Sequence, residues 1–414
     1  MQLWKRILIS FILAIGLGFL LPNEIYLGDF IGTVKFVSIL EPIGIVFLKL
    51  IKVVLPFLIF GSLVNAIVNI GNNSSVGTLS LRAAITYMFT TLSAVCIGLF
   101  VGIIGKPGEG VVLGSSQNIE RINTANFNIK DYLLGLVPDN IFKVLYSGKM
   151  VPLVLFSILC GFMINNIEKK EQKVLKDLIN AILKLSMKAI TSIVEYAPYA
   201  VFAFIYNMVV TQGVDSILAV VKLVIYVLVA YCIQYIVFLI IITFIARLSP
   251  LPFIKKSWEY QSLALSTCSS KASLPTTMEC LRKMGVSQAS RSLVLPMGAS
   301  MNMDGLAIKL SISAIFFAQV FNIDLTIYDY LLIILTSTIG SMGGAGIGRS
   351  YLVMLPVVLT TIGIPTEVVV FVIGPDNFLD MLSTTINITG DAVITLTLDK
   401  VNGKLDKDKY YENL

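Results

Sequence analysis

Histidine is absent from this 414-residue chain, cysteine occurs only five times, and charged residues make up only 14% of the total. Without histidine the chain lacks the commonest metal ligand and the side chain best suited to moving protons near neutrality. Cys96, Cys160, Cys232, Cys268 and Cys280 lie far apart, mostly in apolar runs, and form neither a CxxC motif nor a disulfide framework. No nucleophile–base pair or phosphate loop stands out. The glycine-rich stretch 340–348 follows no soluble strand and opens no βαβ unit, so it is not a nucleotide fingerprint. Together these absences argue against an enzyme.

What remains is apolar. Hydrophobic residues are 56% of the chain and its mean hydropathy is +0.86, whereas soluble domains carry about 25% charged residues. That composition belongs to an integral membrane protein. Residues 7–21, 43–70, 83–104, 151–167, 217–245 and 368–397 approach or exceed the ~20 apolar residues a crossing helix needs. The first run follows Lys5-Arg6 without a small-residue cleavage site and reads as a retained span. The net charge of +6 is modest and its carriers flank the spans, which suits orientation in a bilayer and not nucleic-acid binding. Lys5-Arg6, the 168–173 stretch (read as a loop), and Arg247, Lys255 and Lys256 place those positions on the cytoplasmic side.

Two apolar segments are interrupted. Residues 263–274 are broken by Ser266, Thr267, Ser269, Ser270 and Lys271, with basic residues on both flanks (Lys255-Lys256 and Arg282-Lys283). Residues 330–359 contain five glycines in the twelve positions 337–348, with acidic flanks at Asp324, Asp329 and Glu367. Non-helical backbone at membrane depth is tolerated only beside protein or a water-filled cavity, so each segment reads as a re-entrant hairpin. Their opposite sidedness is the mark of an inverted-repeat transporter with a midplane site.

Four carboxylates of the last third stand out in the motifs of this apolar region: Asp304 in Ser300-Met-Asn-Met-Asp-Gly305, and Asp376, Asp380 and Asp391 further on. A carboxylate at membrane depth costs about 2.5–3.5 kcal/mol, so something cationic must meet it. Hard cations such as Na⁺ take oxygen ligands, including carbonyls freed where a helix unwinds, here if Gly305 breaks it. Tyr87, Thr90 and Thr91 fall within one helical turn and can present three hydroxyls to one point.

These motifs resemble the glutamate-transporter family of dicarboxylate/amino acid:cation symporters. The likeness rests on Ser269-Ser270-Lys271-Ala272-Ser273-Leu274-Pro275, Asn302-Met303-Asp304-Gly305, the 337–348 stretch and 376–391 with Asn387 and Thr389-Gly390-Asp391. Val137-Pro138-Asp139-Asn140 and Ala197-Pro198 match more weakly. The resemblance implies an all-α membrane protein of eight transmembrane helices plus two oppositely oriented re-entrant helical hairpins, working as a homotrimeric elevator. Residues 1–80 and 111–212 would be scaffold. Residues 81–110, 213–250 and 251–400 would form the moving transport domain, and 401–414 a cytoplasmic tail. Both termini would be cytoplasmic, in the plasma or inner membrane. It implies Na⁺ as coupling ion: one site from Asn302, Asn387 and Asp391, a second from Tyr87, Thr90, Thr91, Asn302 and Asp304, and a third from carbonyls of Thr338, Ile339 and Ser341. Substrate would meet Ser269, Ser270, Gly346, Asp380, Ser383, Thr384 and Asn387, with Asp380 facing an α-ammonium group.

The chain departs from the family where acidic-substrate members carry an arginine in the eighth helix or near the first hairpin tip; here those places hold Ser383 and Cys268. Serine cannot replace a guanidinium's bidentate charge. The main expectation is therefore sodium-coupled import of a small neutral amino acid such as serine, threonine or alanine. The alternatives are an acidic amino acid or dicarboxylate, sodium- or proton-coupled, with Arg349 or Lys271 as counter-charge, and a channel-like pathway. Lys309 is open to internal pairing with Asp304 or another carboxylate, and Asp376 to pairing with a lysine or capping.

Overall fold

The computed structural model describes residues 3–20, 24–26, 33–71, 78–111, 140–147, 150–212, 215–344 and 350–412. Gly346 and Arg349 lie outside these residues, as do residues 137–139. The described chain is helical: α1 Leu3–Leu20, α2 Phe36–Gly71, α3 Thr78–Gly105, α4 Ile141–Ser147, α5 Met150–Asn165, α6 Lys169–Val194, α7 Ala197–Gln212 and α8 Asp215–Ile240, which ends in a π-turn at Ile241–Ile245. There follow α9 Pro250–Thr267, α10 Ser270–Lys283, α11 Gln288–Met301, α12 Asp304–Val320, α13 Ile327–Gly344, α14 Ser350–Thr361, α15 Val370–Val401 and α16 Lys407–Tyr411. The sequence showed no sign of strands, yet β1 Glu24–Tyr26 and β2 Thr33–Lys35 pair antiparallel as a short ribbon ahead of α2.

Among the described residues, Leu81–Gly105, Leu218–Ile245 and Gln288–Val320 are long and apolar enough to cross a membrane. Large apolar side chains such as Phe89, Phe100, Ile104, Ile236 and Phe244 point outward, while charged Asp304 and Lys309 are buried. This inverts the arrangement of a soluble domain and suits a lipid surround. The stretch 168–173 is not a loop: α6 starts at Lys169. Its lysines and glutamates are good helix formers, and its apolar face packs Ile179 with Val64, Val68 and Ile164.

The helices pack in two groups. α1 lies on α7, and α2 on α5, α6 and α7; α3, α8 and α9 to α15 pack chiefly among themselves. In the second group α12 is central. Every residue from Asp304 to Ala318 is buried, so that helix has no face for lipid.

α9 and α10 form an antiparallel hairpin. It turns at Cys268, held left-handed at φ 51°, and at Ser269, whose hydroxyl accepts from the Ala272 N–H to cap α10. At its base Lys283 pairs with Glu259 at 3.2 Å and the Lys256 ammonium donates to the Lys283 carbonyl at 3.4 Å. α13 and α14 also run antiparallel, since Gly340 faces Met354 and Gly344 faces Ser350. Each hairpin precedes a long polar-studded run, α11–α12 after the first and α15 after the second.

Gly305 does not break the helix between α11 and α12. The break falls at Asn302 (φ −102°, ψ 113°) and Met303 (φ −135°, ψ 57°), and Gly305 is already helical. Its glycine is required instead by contact: a Cβ there would lie 2.6 Å from the Ser383 carbonyl oxygen on α15.

The segment after α15 folds back on the base of the first hairpin. The Asp406 N–H donates to the Gly285 carbonyl at 3.0 Å, and Lys256 donates to the Lys409 and Tyr410 carbonyls at 2.7 and 3.0 Å. Tyr410 is buried and its hydroxyl donates to the Ser249 carbonyl at 2.8 Å. The N–H of Lys409 caps onto Asp406 and holds that carboxyl below its usual range. Truncating a buried aromatic costs about 3–5 kcal/mol, so Tyr410→Ala should lower the melting temperature of the purified protein clearly. An unchanged melting curve would show that this contact carries no stability.

Candidate ion and substrate site

The break in α11–α12 sits where α3, α8 and α15 converge. Asn302 is the hub: its side-chain oxygen accepts from Thr90 and Thr91, each at 3.3 Å, and its amide donates to Asp391 Oδ1 at 3.0 Å. Asp304, the next polar residue, accepts from Thr91 at 3.2 Å and from Gln234 at 3.2 Å. Asn302, Asp304, Asp391, Thr91 and Gln234 are each at most 1% exposed. The break thus brings two carboxylates into one oxygen-rich cluster.

Hydrogen bonds do not complete this cluster. Among the described residues, Asp391 Oδ2 and Gln234 Oε1 are buried acceptors without a partner. An unpaired buried acceptor costs about 1–3 kcal/mol, and more when charged. Among the described residues neither Asp304 nor Asp391 has a lysine or arginine in salt-bridge range. Nor do three or more Cys, Asp or Glu side chains among the described residues gather so as to hold a metal ion. Two carboxylates among amides and hydroxyls suit hard monovalent cations better than a divalent or thiophilic metal.

Tyr87 faces a different part of the cluster from Thr90 and Thr91. Its hydroxyl donates to the Val294 carbonyl at 3.0 Å on α11. Asp391 Oδ1 and the Tyr87 hydroxyl both close on Gly298, where a Cβ would lie 2.5 and 2.6 Å from them. Asn387 joins from α15: its oxygen accepts from the Gly305 N–H at 2.8 Å, while its amide lies 3.1 Å from the Met303 sulfur. Thr338, Ile339 and Ser341 lie inside α13. The Thr338 carbonyl already accepts from the Ser341 hydroxyl at 2.8 Å.

Of the expected substrate residues, Ser269 and Ser270 stand at the first hairpin tip, and Asp380, Ser383, Thr384 and Asn387 run along α15 at helical spacing. Ser383 is buried beside Gly305, where an added Cβ would meet the Ser383 backbone and hydroxyl. Lys309 pairs with neither Asp304 nor solvent. Its ammonium lies 3.0 Å from Asp376 and 3.2 Å from Asp380, and 4.6 Å from the centre of the Tyr351 ring. Lys271 is exposed.

Sequence reasoning missed Gln234, Tyr231 and Gly298. Tyr231 donates to the Gly305 carbonyl at 3.2 Å and Gln234 lies one turn further along α8. The signal was available: an amide and a phenol one turn apart in the apolar 217–245 run must face protein, not lipid.

Residues 3–401 match the model of the Sodium:dicarboxylate symporter family. The chain is 31% identical to the proton/sodium-glutamate symport protein of Bacillus subtilis (strain 168), with 94% of each chain covered. It is 31% identical to the proton/glutamate-aspartate symporter of Escherichia coli (strain K12), covering 90% of this chain and 87% of that one. It is 28% identical to the C4-dicarboxylate transport protein of Rhodospirillum rubrum, covering 98% of this chain and 90% of that one.

A methyl group at Gly298 would displace Asp391 Oδ1 or the Tyr87 hydroxyl, both already fixed by hydrogen bonds. Gly298→Ala should therefore raise the cation concentration needed for half-maximal substrate binding by about tenfold, equal to ~1.4 kcal/mol, in calorimetric titrations. An unshifted titration would remove this cluster from the ion pathway.

Proposed function

Because the chain belongs to the Sodium:dicarboxylate symporter family, a membrane transporter family and not an enzyme family, we propose that it imports a small carboxylate against its gradient by cotransport of sodium. The observation that carries this reading is the Asn302–Asp304–Asp391 cluster: two buried carboxylates, one with an unpaired oxygen, and no cationic side chain beside them among the described residues. The names of the relatives, glutamate and aspartate symporters and C4-dicarboxylate transport proteins, favour an acidic substrate over the small neutral amino acid expected from Ser383. Arg349, which immediately precedes the buried Ser350, is the counter-charge for the acidic end, with Lys271 as the alternative.

Coupling follows from desolvation. Asp304 and Asp391 cannot cross the bilayer interior as bare anions, so the cluster moves only when cations neutralise it. Asn302 touches both carboxylates' surroundings, and Gly305 and Asn387 connect the same break to α15, so ion and substrate sites share a skeleton. The two packing groups support a scaffold of 1–80 with 111–212 and a mobile unit of 81–110 with 213–400. The paired hairpins support re-entrant gates, within the eight-helix inverted repeat, elevator motion and homotrimer that the resemblance implies, with both termini cytoplasmic.

Purified protein in liposomes should accumulate labelled L-aspartate, L-glutamate or succinate under an inward sodium gradient and stop when the gradient collapses. Mere equilibration would indicate a channel. Accumulation driven equally by a proton gradient without sodium would replace sodium by the proton. Asp391→Asn should weaken the sodium dependence of substrate binding tenfold or more, and an unaltered sodium titration would remove Asp391 from the ion site. Arg349→Ala should reduce aspartate affinity at least tenfold; retained affinity would assign the counter-charge to Lys271.

A further inference from the structure

The first hairpin is pinned at its base and exposed at its tip. α9 and α10 are rods of about 27 and 21 Å, at ~1.5 Å per residue. They meet where the Cys268 N–H donates to the Ala264 carbonyl at 3.0 Å and the Ser273 N–H donates to the Ser269 carbonyl at 3.1 Å. Thr267, Cys268, Lys271 and Ala272 around that turn are exposed. A tip so exposed depends for its placement on whatever holds the two arms further down.

At the base, the side-chain pair between the arms is Lys283 with Glu259, whose side chains are 50% and 60% exposed. Exposed pairs contribute only about 0–1 kcal/mol. The firmer tie is Lys256 of α9, whose ammonium donates to the carbonyls of Lys283, Lys409 and Tyr410 together. Lys283 ends α10, and Lys409 and Tyr410 lie in the last turn of α16. One cation thus serves carbonyls that two helix ends leave over, at the pole where positive charge is favoured.

The segment that brings the α16 carbonyls there is closely fitted. It leaves α15 just after the buried Asp399, which accepts from the Ser287 N–H and from the Ser287 and Ser290 hydroxyls at the start of α11. Gly285 stands at φ 78°, and a Cβ on it would run into the Asp406 carbonyl oxygen, so the glycine is required twice over. Tyr410 donates to the Ser249 carbonyl, and the Tyr411 hydroxyl accepts from the Ser249 N–H at 3.3 Å. The corner before α9, the turn after α10 and the end of α15 are therefore joined by residues 402–411.

We propose that residues 402–411 are an intramolecular clasp that shuts the first hairpin at its base and so presets its serine tip for substrate, with Lys256 as the positioning residue at the junction. Two rods joined at both ends cannot splay. Rods joined only at the tip turn about it, and that motion displaces Ser269 and Ser270. Ordering a loosened tip would then be an added cost of every binding event. The effect on substrate rests on the symporter reading, whereas closure of the arms does not.

The test pairs hydrogen exchange of the purified full-length protein with calorimetric binding of L-aspartate, L-glutamate and succinate in saturating sodium. Lys256→Met keeps an apolar stem and removes the donors. Exchange of amides 264–274 should quicken at least tenfold, and affinity for the probes that the native protein binds should fall at least fivefold. Lys256→Arg restores donors and should return both readouts to within twofold of native. A chain ending at Gly403 should behave as Lys256→Met does; if it does not fold, the Met and Arg variants carry the test. Ile179→Ala, in the α6 packing cluster, controls for lost stability and should leave both readouts native. Native exchange at 264–274 in folded Lys256→Met would overturn the clasp, as would equal quickening in Ile179→Ala or a Lys256→Arg variant as deficient as Lys256→Met. Quickened exchange with unchanged affinity would overturn the role in substrate binding. If no probe binds the native protein with any dependence on sodium or protons, the symporter reading itself falls, and the exchange data still decide whether the strap closes the hairpin.

Discussion

The interruption of the helix at Asn302 and Met303 is the constraint on which the rest of the arrangement depends. An intact helix from 288 to 320 would spend its own carbonyls and amides internally and would hold Asn302 and Asp304 apart by helical spacing. Two non-helical residues instead place the Asn302 side chain between the threonines of α3 and the carboxylate of α15. The glycines around it follow from that demand for proximity. Gly298 admits Asp391 and Tyr87, Gly305 admits the backbone of α15, and at Gly390 a Cβ would press on the Asn302 amide and Phe238.

Much of this was legible in the sequence because burial of charge in an apolar chain is so costly. Asp304, Asp380 and Asp391 stand out against their apolar surroundings, and the serine-rich and glycine-rich interruptions mark the two hairpins by residue type alone. The runs 83–104 and 217–245 read as apolar helices because lipid imposes one length and one polarity on them, and the structure has Leu81–Gly105 and Leu218–Ile245 there. The 168–173 stretch misled because six polar residues read as a loop, when lysine and glutamate on one face of an amphipathic helix give the same local composition.

What was not legible depended on partners distant in sequence. Lys309 offered several carboxylates to choose from, and only the packing of α12 against α15 selects Asp376 and Asp380. Ser383 stands in the motif of the eighth helix, and motif spacing alone cannot show that it packs beside Gly305 of α12. Gln234 was visible as an odd amide in an apolar run, yet its role needed the knowledge that α8 packs beside Asp304.

The enclosure of α12 bears on how the protein is made. Lys309 and Asp376 are 67 positions apart, so the ammonium leaves the ribosome long before its counter-ion. A lysine held alone in hydrocarbon during that interval would cost about 2.5–3.5 kcal/mol. Docking of α15 on α12 removes that cost, because it brings Asp376 and Asp380 to the ammonium, and the two helices are then held as one charge-paired unit.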